Sequence, residues 1–198
     1  MTSRQHRRFL DTIYNYEECV DLCAQDFEVI TIESDFIERL AGWIDNMVEA
    51  KQDEAHHKAD GNKERKRWMT GYLGEYAVEQ YLGQKFIDWS IGDSGHYHRP
   101  DMSSIGIDCG IKTVEYGKFP LIFKNSHDPE FIVIRKSYDT FWLCGYADPS
   151  VLNIYQSDDL ILDDALRKRG TKTAFYGFEH LIAPLFLKLL TWGWDRIE

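Results

Sequence analysis

Between Ile105 and Lys112 the chain alternates without a break. Ile105, Ile107, Cys109 and Ile111 are apolar, while Gly106, Asp108, Gly110 and Lys112 are glycine or charged. Successive side chains of a strand point to opposite faces, so the pattern predicts a strand with one buried face. Its other face would present Asp108 and Lys112 with only a glycine between them. Asp101 lies just upstream, behind Pro100 and across a Met-Ser-Ser turn. Folding back at that turn would make Asp101, Asp108 and Lys112 near neighbours. Two carboxylates beside one lysine suit hydrolysis assisted by a hard divalent cation, because carboxylate oxygens hold the ion and the amine orients or activates a water. The same pattern also describes an exposed polar strand face with a surface salt bridge.

The chain has 198 residues, enough to bury a full core as one domain. No apolar run follows the basic amino terminus closely enough for a signal peptide, and no stretch approaches a membrane span, so the expectation is a cytoplasmic protein with no membrane partner. The four cysteines have no zinc-type spacing and read as small core residues. A net charge of −10 argues against a strong non-specific grip on nucleic acid, which needs lysines and arginines to displace counterions. Local basic patches are the exception to watch: Lys63 to Arg67, Arg167 to Arg169, and Lys118, Lys124, Arg135 and Lys136.

In chain order, residues 15–26 read as a short helix with Cys19, Val20, Leu22 and Cys23 inward, followed by an extended piece from Phe27 to Ile32. Ser34 can cap a long helix whose apolar positions Phe36, Ile37, Leu40, Ile44, Met47 and Val48 recur at helical spacing. The charged segment 50–66 contains His56-His57, whose side chains would diverge by about 100° on a helix and so would not share an ion. The next predicted helix, from about Arg65 to Leu82, buries Met69, Leu73, Tyr76, Ala77 and Tyr81, while Glu75 projects from a side lined by Trp68, Gly71, Tyr72 and Leu82. Gly71 and Gly74 each cost such a helix about 1 kcal/mol relative to alanine, unless a close approach requires them. Strands are expected at Lys85–Trp89, Phe131–Arg135 and Thr140–Tyr146, with Leu121–Lys124 an edge strand or loop. Asp148-Pro149 breaks the chain. Helices are expected at Ser157–Lys168 and at Glu179–Trp192, the last shortened or kinked at Pro184.

Gly74-Glu75 on a helix, Pro100-Asp101, and Ile111-Lys112-Thr113 on a strand, followed by the strands FIVIR and TFWLCGY, together resemble the PD-(D/E)XK, or restriction-endonuclease-like, nuclease superfamily. The likeness covers about residues 66–147. It implies an α/β fold: a central mixed four- to five-stranded sheet flanked by helices. Residues 65–147 would form the nuclease-like core, 1–64 a helical N-terminal extension and 148–198 C-terminal helices. One position departs from the pattern, since the family carries Asp or Glu two residues before the lysine and Gly110 stands there. Asp108, one pleat away and about 7 Å along the strand, is the expected substitute.

The resemblance implies Mg²⁺-dependent phosphodiester hydrolysis of DNA, of phage, restriction or repair type, with Mn²⁺ able to replace Mg²⁺. Asp101, Asp108 and a backbone carbonyl near Ile111 would hold the ion, Glu75 would ligate it directly or through water, and Lys112 would position the attacking water. His96, His98 and Arg99 would contact phosphate. A homodimer with its cleft between subunits is an arrangement the family also implies. The competing expectation is a catalytically degenerate nuclease-like protein whose acidic surface engages a basic partner or mimics nucleic acid.

Overall fold

The computed structural model describes residues 15–50, 61–89 and 99–192. Its centre is β4 (Glu130–Arg135), whose first five residues are all buried. A strand reads as a continuous apolar run rather than an alternating one when both faces of its sheet are covered. Phe131 and Val133 enter one core, while Ile132 and Ile134 enter another on the opposite face. Around β4 lie β5 (Thr140–Ala147), β1 (Glu28–Thr31) and β2 (Gly110–Glu115), in the order β1-β5-β4-β2. β2 runs parallel to β4 and the other pairs are antiparallel, so the sheet is mixed.

The first core lies under two long helices, α2 (Ser34–Ala50) and α3 (Gly61–Leu82), which follow the short α1 (Tyr16–Cys19). Ile37, Leu40, Ile44 and Met47 of α2 and Met69, Leu73, Ala77 and Tyr81 of α3 are buried there, as their helical spacing predicts. The second core is closed by a smaller sheet ordered β3-β7-β6, with β3 at Leu121–Phe123, β6 at Gln156–Ser157 and β7 at Lys172–Phe175. Ile122, Phe175, Phe178 and Leu152 of α4 (Pro149–Ile154) fill it from that side. The remaining α-helices among the described residues are α5 (Asp164–Arg169) and α6 (Leu185–Trp192), the latter starting directly after Pro184. Among the described residues no helix is long and apolar enough to cross a membrane.

Several elements depart from their sequence signals, each for a local reason. Residues 84–89 form no strand, because the backbone N–H groups of Phe86 and Ile87 donate to the Glu79 carboxylate, at 2.6 and 2.7 Å, instead of to a neighbouring strand. The alternating stretch becomes a strand only at Gly110. Upstream of it, Ser103–Ile105 form a 3-10 turn and Gly106 takes a left-handed φ of 80°. The expected helix at 157–168 divides: Ser157 caps a 3-10 turn, and Asp163 caps α5 by accepting from Ala165 and Leu166 N–H. The 15–26 helix likewise gives way after Cys19 to a 3-10 segment, Asp21–Asp26, in which Leu22 is exposed. α3 begins earlier than expected, at Gly61. His56, His57, His96 and His98 lie outside the described residues.

Candidate active site

Three of the expected site residues, Glu75, Asp101 and Lys112, lie around β2, an edge strand of the main sheet among the described residues. Alternation along β2 divides its side chains between two environments. Thr113 and Glu115 face α3, where Gly74 lies so close to Thr113 that any Cβ at position 74 would overlap the threonine side chain. The Thr70 hydroxyl of α3 donates to Glu115 Oε1 at 2.7 Å and ties the pair together lower down. Gly71, by contrast, has nothing near its missing Cβ, so only Gly74 is required by the close approach. That contact brings Glu75, the next residue on α3, to the strand.

Asp101 reaches β2 through the turn. Met102 and Cys109 are joined by a backbone hydrogen bond of 3.2 Å, and the Ile111 N–H donates to Asp101 Oδ2 at 2.5 Å. The residue as a whole is exposed, but its carboxylate is turned inward onto the strand backbone. Lys112 points to the face opposite α3. There its ammonium lies 3.2 Å from Oε1 of Glu130, a residue that the sequence reading missed. Glu130 is only 7% exposed, stands beside Gly110 in the parallel register of β2 and β4, and leaves its Oε2 without a hydrogen-bond partner.

These carboxyls share one electrostatic condition. Burial pushes Glu75 up to about 8, the charges of Asp101 and Glu79 push the same way, and Lys112 draws it back. Asp101 is raised by loss of solvent around its carboxylate, against the Ile111 N–H and Lys112. Glu130 is raised by burial, with Lys112 opposing and Asp101 and Asp128 adding to the rise. The charge of Lys112 opposes the rise in all three carboxyls, and its ammonium contacts Glu130. Glu79 belongs to the fold, since it is buried with its carboxylate on the Phe86 and Ile87 N–H groups.

Asp108 is not brought into this group. It is exposed, it precedes the strand, and it is absent from the charges that act on Glu75, Asp101 and Glu130. Arg99 is also exposed. As the side chains stand, no three His, Cys, Asp or Glu among the described residues converge tightly enough to grip an ion, and Asp101 and Glu130 each have one oxygen engaged by the protein. No family model, curated protein or solved structure matches the chain.

Most basic residues singled out in the sequence are paired with acids. Arg65 is bound to Asp45, Lys66 to Glu115 at 3.8 Å, Arg67 to Glu64 at 3.1 Å, Lys124 to Asp158, Arg135 to Glu115 at 3.6 Å, Lys136 to Asp21 at 3.9 Å and Arg167 to Asp164 at 3.1 Å. The cation that the sequence did not suggest is Lys172 of β7. Burial pushes its ammonium down first, and the positive charges of Lys112 and Arg67 push it further. Its signal was absent because β7 itself had no clear strand pattern.

Proposed function

We propose that this chain is a metal-dependent phosphodiesterase that acts on nucleic acid, with DNA as its substrate, Mg²⁺ as its ion and Mn²⁺ as a substitute. The observation that carries the reading is Lys112 in contact with the buried Glu130 of β4 at 3.2 Å, with Asp101 before β2 and Glu75 on α3 within range of its charge, all three carboxyls pushed toward protonation. Acids gathered with too little positive charge attract a cation, and a donor set made only of oxygen suits a hard one. The unpartnered buried oxygen of Glu130 fits the same need.

A bound ion would supply an acidified water and charge to offset the phosphate. The chain's own groups account for the remainder. The Lys112 ammonium has three donors, and among the described residues Glu130 is its acceptor at salt-bridge distance, so it can hold an attacking water or a phosphate oxygen while staying on Glu130. Asp101, fixed by the Ile111 N–H, keeps its carboxylate next to Lys112 without paying out side-chain freedom at each turnover. Lys172 lies within electrostatic range of Lys112, which sets a second cation near it and favours an anionic substrate despite a net charge of −10.

The test is cleavage of duplex DNA, single-stranded DNA and RNA by the purified chain with Mg²⁺, with Mn²⁺ and with chelator. The expected result is ion-dependent cleavage that falls on the order of 10²-fold in Lys112→Ala, the typical worth of a positioned proton-handling or water-orienting group. Absence of cleavage of every substrate with either ion would sink the reading and leave the acidic binding protein as its replacement.

A further inference from the structure

Gly110 and Glu130 stand side by side on β2 and β4, and a Cβ built at position 110 would collide with Oε2 of Glu130 and come within 3.2 Å of its Cδ. The absence of a side chain at 110 is therefore what makes room for the Glu130 carboxylate. That carboxylate enters the same strand face as Lys112, two residues along β2, and bonds to it at 3.2 Å. Its other oxygen is fully buried and partnerless. A buried carboxylate oxygen without a donor carries a desolvation cost that a proton, a water or a cation would remove. Asp101, close enough for its charge to act on Glu130, supplies a second carboxylate from the turn. Asp108, exposed and outside the strand, shares none of these contacts.

We propose that Glu130 is a divalent-cation ligand of this site, presented from β4 through the space that Gly110 leaves open, and that Asp108 is not a ligand. The assignment rests on the metal-dependent reading above. It also predicts that an acid cannot simply be restored at position 110, since its side chain would displace Glu130.

Calorimetric titration of Mn²⁺ into the full chain, with urea unfolding of each variant alongside, tests it. The expected result is one bound ion in the wild type, a loss of about tenfold or more in affinity in Glu130→Gln, and affinity within about twofold of wild type in Asp108→Asn. Glu130→Asp keeps the charge beside Lys112 but retracts the oxygens, so it should fold like the wild type and still bind Mn²⁺ more weakly. If Glu130→Gln fails to fold, Glu130→Asp carries the test. Unchanged affinity in a folded Glu130 variant, or an equal loss in Asp108→Asn, overturns the assignment while leaving metal dependence standing. A wild type that binds no Mn²⁺ overturns the metal-dependent reading and this assignment together.

Discussion

Lys112 draws down the proton affinity of Glu75, Asp101 and Glu130 alike, so its removal should be felt in folding as well as in chemistry. In Lys112→Ala the Glu130 carboxylate would have neither oxygen partnered in a position only 7% exposed. A buried polar group left unsatisfied costs about 1–3 kcal/mol, and more when it is charged. Burial raises the proton affinity of Glu130, so the loss should be larger in alkaline solution and shrink as acid protonates the carboxyl; urea unfolding across a pH series would show it, and a loss independent of pH would count against the pairing. Glu75 gives a second pH signature. Its folded-state value of about 8 lies above the ordinary 4.5, so the folded chain binds this proton more tightly than the unfolded one. Stability is then greatest below the ordinary value and declines as pH rises through the interval between the two. Metal-free Glu75→Gln should flatten that decline, and a wild-type slope retained in the mutant would mean that another group is responsible.

At the scale of elements, two glycines decide how the layers meet. Gly74 lets α3 lie against Thr113, and Gly74→Ala should cost about 1–3 kcal/mol by overpacking and move Glu75 away from the strand. Gly71→Ala is the control: with open space around position 71, it should gain up to about 1 kcal/mol of helix propensity. Chemical denaturation of both would separate a contact from a composition effect, and a Gly74→Ala variant as stable as wild type would refute the close approach. Gly145 acts on β5. It sits at φ 141° where the register of β4 and β5 shifts, and a Cβ there would meet the Ile182 carbonyl at 2.5 Å. Ile182 and Tyr146 exchange backbone hydrogen bonds of 2.8 and 2.9 Å, so the bulge is what docks the segment leading to α6. Gly145→Ala should lower stability by about 2 kcal/mol or more and expose α6 to proteolysis before the rest of the chain.

For the molecule as a whole, the surplus of acid is unevenly used. Most of the basic residues that might have formed a nucleic-acid surface are held by surface acids, while of the acids at the start of β2 Glu130 has Lys112 in contact and Lys172 within electrostatic range. An ion that binds this cluster in the folded chain and not in the unfolded one must stabilise the fold. At a concentration about 100 times its dissociation constant, Mn²⁺ should add about 2.7 kcal/mol, seen as a rise in thermal midpoint that chelator reverses. An equal rise with the same ionic strength of NaCl would reduce the effect to screening of repulsion.

Several parts of this protein were legible in the sequence because they depend on local periodicity. α2 and the buried face of α3 follow from apolar residues at helical spacing, and β4 and β5 from short runs of β-branched and aromatic residues. Gly74-Glu75, Asp101 and Lys112 stood out by residue type and order, and the fold gathers them around one strand. Residue pattern misled where the backbone's hydrogen-bond partners are remote. Lys85–Trp89 has a strand's composition, but Glu79 takes its N–H groups. The alternation from Ile105 continues in burial at Ile107, Cys109 and Ile111, but Gly106 turns the chain before pairing begins. The partnership of Lys112 with Glu130 could be decided only by tertiary structure. It depends on the parallel register of β2 and β4, which sets residue 110 beside residue 130, and no pattern along the chain encodes which residues two strands so far apart will bring together.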